Sequence, residues 1–152
     1  MENKNENIIK QLNDLVEINN DRITGYEKAE KETKDSDLKD LFSELASHSR
    51  KFKTELSSQV TALGGTPTES TKTSGKFFRA WMDVKAALSG KDRKAVLQSC
   101  ETGEDAAIET YDEVLKSDTN FDEEIRGLIV TQKNEILKDH NKVKMLRDTV
   151  LA

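Results

Sequence analysis

Four stretches of this chain carry apolar residues at alternating spacings of three and four, the pattern of a helix with one buried face, and polar side chains interrupt every seam near its middle. The first seam runs Ile8, Leu12, Leu15, Asn19, Arg22, Tyr26, Ala29, and the second Leu38, Phe42, Leu45, Ser49, Phe52, Leu56, Gln59, Leu63. The third is Leu97, Cys100, Glu104, Ala107, Tyr111, Val114, and the fourth Ile125, Ile129, Gln132, Ile136, Asp139, Val143, Leu146, Val150. One proline, seven glycines and 35% charged residues against 34% hydrophobic agree with an all-α protein of amphipathic helices.

The spacing predicts helices over about residues 6–33, 37–63, 92–117 and 121–150. Lys34 to Asp37 forms the first turn, where Asp35 or Ser36 can cap the second helix, and Gly64 ends that helix. Asp92 suits the start of the third helix, and Asn120 with Glu123 resembles a capping box for the fourth. Between the two hairpins lies a crossover, 64–91, that opens with a polar loop containing the proline. It then carries a short helix over about 76–88, with Phe77, Phe78, Trp81, Val84 and Leu88 on its apolar face. That helix is expected to dock on the bundle through Trp81; the alternative is that its apolar face, Phe77 to Leu88, binds a second copy or a protein partner. Two tight hairpins joined by a long crossover predict a ferritin-like antiparallel four-helix bundle, because an up-down-up-down bundle needs only short loops. The whole chain, 1–152, reads as a single domain, a length that buries roughly 70% of the surface its unfolded form exposes.

A net charge of −5 and a pI near 5.2 argue against nucleic acid or an anionic membrane as a partner, since both call for a basic face. No apolar run approaches the ~20 residues of a membrane span, and Met1 to Ile9 lacks the apolar core of a secretory signal, so a cytoplasmic protein is expected. Cys100 is the single cysteine, which leaves neither an internal disulfide nor a cysteine-rich metal motif. Phosphate loops, HExxH and nucleophile elbows are missing from the sequence, and no catalytic residue is assigned.

The polar residues in the seams are the candidates for a role. In a hairpin turning near residue 35, Arg22 lies level with His48 and Ser49, and a turn near 119 puts Glu104 level with Gln132 and Glu135. A single polar layer of Asn19, Arg22, His48, Ser49, Glu104 and Gln132 is therefore expected, with Tyr26, Asp139 and His140 further along. In one reading Arg22 neutralises Glu104 and the amides, hydroxyls and imidazole satisfy the rest, so the layer is structural and holds no cofactor. In the other, Glu104, His48, Glu135 and His140 bind iron or manganese, because carboxylates and imidazoles on facing helices are the usual donors in bundles.

Three stretches resemble a bacterial family of uncharacterised, ferritin-like four-helix-bundle proteins of about this length, and the resemblance extends over nearly the whole chain. They are Leu12 to Arg22 leading to Gly25-Tyr-Glu, Ala80-Trp-Met-Asp-Val-Lys-Ala-Ala-Leu88, and Cys100-Glu-Thr-Gly-Glu-Asp-Ala-Ala107. The resemblance implies the bundle fold and no particular activity. Di-iron members of the ferritin-like fold place Glu-x-x-His on two helices, whereas here Glu44 and His48 are four apart and Glu135 and His140 five. The expectation is a non-enzymatic structural or stress-related interaction protein, with a ferritin-like metal-binding protein as the alternative.

Overall fold

The sequence breakers fall where the helices stop. A computed structural model describes residues 2–71 and 75–150, with side chains over 5–71 and 78–150. It contains five helices: α1 (Glu2–Glu32), α2 (Ser36–Ala62), α3 (Gly75–Ser89), α4 (Arg93–Lys116) and α5 (Glu123–Asp148). The protein is all-α, with no strand among the described residues. Nor is any described helix long and apolar enough to cross a membrane.

The caps explain the boundaries. Asp92 accepts from the Ala95 amide at 3.1 Å and Asp122 from the Ile125 amide at 2.8 Å, each satisfying a donor that the first helical turn cannot. The cap of α5 is thus Asp122, two residues after the expected Asn120, because its carboxylate reaches the third amide beyond it. Asp35 holds the N-cap position of α2, but its side chain makes no cap bond and lies 3.7 Å from Arg93 instead. At the end of α2, Gly64 turns left-handed (φ 89°), with Gly65 N–H donating to Val60 O and Gly64 N–H to Thr61 O. The same closure ends α3, except that the left-handed residue is Lys91 (φ 56°) and not the neighbouring Gly90.

The segment that follows α2 is pinned to α1 by three polar residues on one helical face. Asn13 accepts from the Thr68 amide and donates to Thr66 O, Asn20 donates to Ser70 O, and Glu17 accepts from the Ser70 hydroxyl. Beyond it, α3 lies against α1 and α4. Its inner face is Ala80, Val84 and Ala87, with Trp81 part-buried beside them. Phe78 is 58% exposed, contrary to the expected packing face, because at 100° per residue it points away from the side that Ala80 and Val84 share. The side chain of Phe77 lies outside the described residues.

The core is divided in two. One apolar cluster gathers Ile8, Leu12, Leu15, Phe52, Leu56, Ile125 and Ile129 with their neighbours, and the other Tyr26, Leu38, Phe42, Leu45, Leu97, Cys100 and Val143. Between them sits a polar belt. Trp81 packs against both clusters, crossing Tyr26 edge-on at 4.9 Å between ring centroids and lying flat on the backbone of α1 at Gly25.

That contact gives a paired prediction. A Cβ on Gly25 would fall inside the indole of Trp81, whereas one on Gly127 in α5 meets nothing. Gly25→Ala should destabilise the protein by ~1–2 kcal/mol, overpacking outweighing the gain in helix propensity. Gly127→Ala should stabilise it by up to ~1 kcal/mol. Urea unfolding of both variants checks the opposite signs.

Candidate functional site

The belt between the two clusters is a chain of hydrogen bonds and ion pairs that touches all four long helices. From α1, Arg22 donates to the Asn19 side-chain oxygen at 3.2 Å and to Glu104 Oε1 on α4 at 2.9 Å. Its Nη2 also lies 3.5 Å from Asp139 Oδ2 on α5. Tyr26 donates its hydroxyl to the same Glu104 oxygen. On one side the chain continues from Asp139 to His48 Nδ1 on α2, 3.0 Å away. On the other, Asn19 donates to the Tyr111 hydroxyl at 2.9 Å and Tyr111 donates to Gln132 Oε1 at 2.6 Å. Gln132 then donates to Phe52 O and to Glu55 at the surface of α2.

The structure thus brings Asn19, Arg22, Tyr26, His48, Glu104, Gln132 and Asp139 together. Ser49 is buried but bonds Leu45 O in its own helix, outside the chain. Glu104 is not level with Gln132 and Glu135, as a symmetrical hairpin would have it. Its partner level on α5 is Asp139, more than one turn further on, and Tyr111 is the residue opposite Gln132. The reason lies in the connection, where Phe121 is buried and Asp122 caps α5, which displaces the helix along α4. Tyr111 and Glu55 belong to the chain although the seams did not single them out for it. A tyrosine on a buried seam needs a hydroxyl partner, which was the available signal for Tyr111; Glu55 lies off the seam and carried none.

Charge governs the site. Arg22 and Glu104 are both fully buried. Burial works against the charge on Arg22, but the Glu104 carboxylate, with Asp139 behind it, more than compensates, so its pKa is raised and it remains a cation. Burial, then the Glu104 carboxylate, pushes the Tyr26 hydroxyl well above its ordinary range, which keeps it a donor. Burial and Glu104 likewise push up the Cys100 thiol, so it is a poor nucleophile. Asp139 is raised by burial and by Glu104, with His48 and Arg22 opposing.

The donor set does not fit a metal centre of the ferritin-like kind. Glu104 is taken by Arg22 and Tyr26, and His48 by Asp139. Glu135 faces Lys51 at 3.8 Å, and His140 lies 2.9 Å from Asp105 and 3.6 Å from Glu101. The four candidate ligands are therefore dispersed, and among the described residues no three His, Cys, Asp or Glu are grouped to hold an ion. At the point where carboxylates converge, the positive charge is the guanidinium.

Removing either member of the buried pair alone, by Arg22→Met or Glu104→Leu, should cost ~3–5 kcal/mol by leaving Glu104 without a countercharge or Arg22 with only the more distant Asp139. The double replacement should cost much less than the sum, as urea unfolding of the cycle would show. Asp139 gives a pH signature. Because the folded state holds its proton more tightly than the unfolded chain does, this carboxyl contributes stability below its unfolded pKa. That contribution is lost as pH rises through the elevated folded pKa. The stability of the wild type relative to Asp139→Asn should therefore increase as pH falls from neutral into the carboxylate range, measured by unfolding at a series of pH values.

A search of the curated proteins found no match for the chain. A family model matches residues 7–117, from α1 to the end of α4. The matched span contains Asn19, Arg22, Tyr26, His48 and Glu104, while Gln132 and Asp139 on α5 lie beyond it. Since that match takes in most of the sequence, the chain belongs to the DUF2383 family, a domain of unknown function.

Proposed function

We propose that the chain is a non-enzymatic structural protein of the cytoplasm, built as a ferritin-like antiparallel four-helix bundle in which α3 rides on the crossover and a salt-bridged layer replaces a metal site. The pairings along the helices support this arrangement. Asn7 meets Thr119 while Arg22 meets Glu104, and Glu55 meets Gln132 while His48 meets Asp139 and Glu44 meets Lys142, so partner numbers fall on one helix as they rise on the other. The observation that carries the reading is Arg22, a buried cation bonded to the carboxylate on which a metal site would have to be centred. With that charge supplied by a side chain, the layer serves to align the helices: a displacement by one turn would strand Arg22 and Glu104 in apolar surroundings.

Elemental analysis of protein purified without chelator, followed by melting in added iron(II) or manganese(II), tests the proposal. The expected result is less than stoichiometric metal and an unchanged Tm. A bound metal at 100 times its Kd would add ~2.7 kcal/mol of stability. Stoichiometric iron or manganese that disappears in Glu104→Ala would overturn the structural reading in favour of a metal-binding protein.

A further inference from the structure

Two cavities meet on the outside of α3. One, of about 430 Å³, lies between α3 and α1 and is lined by Gly25, Ala29, Phe78, Trp81, Met82 and Leu88 together with the charged Lys28, Glu32 and Lys85. The other, of about 600 Å³, continues from the shared residues Glu32, Lys85 and Leu88 to the turns at the end of α1 and the end of α3. Both volumes are in the range of small-molecule sites, roughly 300–1,000 Å³. The first is walled largely by apolar side chains, and two of them, Phe78 and Met82, are 58% and 56% exposed.

The second cavity is charged. Lys34, Lys85 and Lys91 line it without an ion pair among the described residues, while Arg93 is engaged by Asp37 and Asp35 and Glu32 is the remaining acid. In a chain of net charge −5, three uncommitted lysines at one end of an apolar groove are a local excess of positive charge. Lys91 in addition holds a left-handed backbone conformation that a glycine would adopt without strain.

We propose that this groove binds a single-chain anionic amphiphile of the long-chain carboxylate class, with its hydrocarbon along Ala29, Phe78, Trp81 and Met82 and its carboxylate among Lys34, Lys85 and Lys91. The match is one of charge and polarity: an apolar trough that ends in unpaired cations complements a molecule that is apolar along its length and anionic at one end. The site lies outside the buried layer and stands independently of its role.

Trp81 is the sole tryptophan and lines the groove, so its emission reports occupancy directly. Titration of the full chain with sodium oleate below its critical micelle concentration should give a saturable, one-to-one shift of Trp81 emission to shorter wavelength. Met82→Glu should weaken binding about 10-fold or more, since it puts charge in the hydrocarbon path. Combining Lys34→Gln, Lys85→Gln and Lys91→Gln should weaken it by about 10-fold, and oleyl alcohol, with the same chain and no charge, should bind as weakly as oleate does to that variant. Lys91→Gly should raise the urea midpoint while weakening oleate binding, which separates the role of the side chain from folding. An absent or unsaturable response to oleate overturns the proposal, as does equal binding of oleyl alcohol. So would a response confined to phosphatidylglycerol vesicles, which would make the groove a membrane-surface contact. A shift of Trp81 emission with protein concentration alone, accompanied by dimer in sedimentation, would overturn it in favour of a second copy as the occupant.

Discussion

The structure depends on one buried ion pair. Taking Arg22 and Glu104 out of water costs several kcal/mol per ion, and their mutual attraction offsets that only if neighbouring groups complete the site. Asn19, Tyr26 and Asp139 do so around the guanidinium and carboxylate, and the rings of Tyr26 and Phe52 lie 5.7 and 5.8 Å from the guanidinium carbon, within reach of a cation–π attraction. The pair is nevertheless joined by one direct bond and not by the two-pronged arrangement open to arginine, and Arg22 Nε and Glu104 Oε2 make no hydrogen bond. Such a layer is a poor device for maximal stability. On the proposed reading its value lies in what it forbids, since each of the four long helices must deliver a polar residue to the same place.

Most of the architecture was legible because it follows from periodicity. Three-and-four spacing located the four long helices, the glycines and the proline located the break after α2, and polar residues on otherwise apolar seams located Arg22 and Glu104. What stayed hidden were relations between helices. The level of α5 against α4 depends on how residues 117–122 fold, with Phe121 turned inward, and no periodicity reports that. Tyr111 reads as an ordinary core aromatic until its hydroxyl is found between Asn19 and Gln132. Residues that lie off the seams were hardest to foresee: Glu55 ends the polar chain, and Asn13, Glu17 and Asn20 fix the segment after α2 from the polar side of α1.

The family match and the layer divide the chain differently. Residues 7–117 contain the ion pair, Tyr26 and His48, so the charged centre belongs to the shared part of the sequence. The fifth helix contributes Asp139 and Gln132, which give Arg22 its second carboxylate and Tyr111 its acceptor. Without α5 the buried cation would keep Glu104 but lose the connection to His48 and to the surface.

A belt of hydrogen bonds across the middle also makes the two apolar halves neighbours and not a continuum. Fraying at the end held by Ile8 and Phe121 need not spread into the half held by Leu38 and Val143, because the charged belt between them opens only at a much greater cost. The bundle is thus expected to breathe as two separate ends about a stiff waist. Trp81, packed against both halves, bridges the waist from outside.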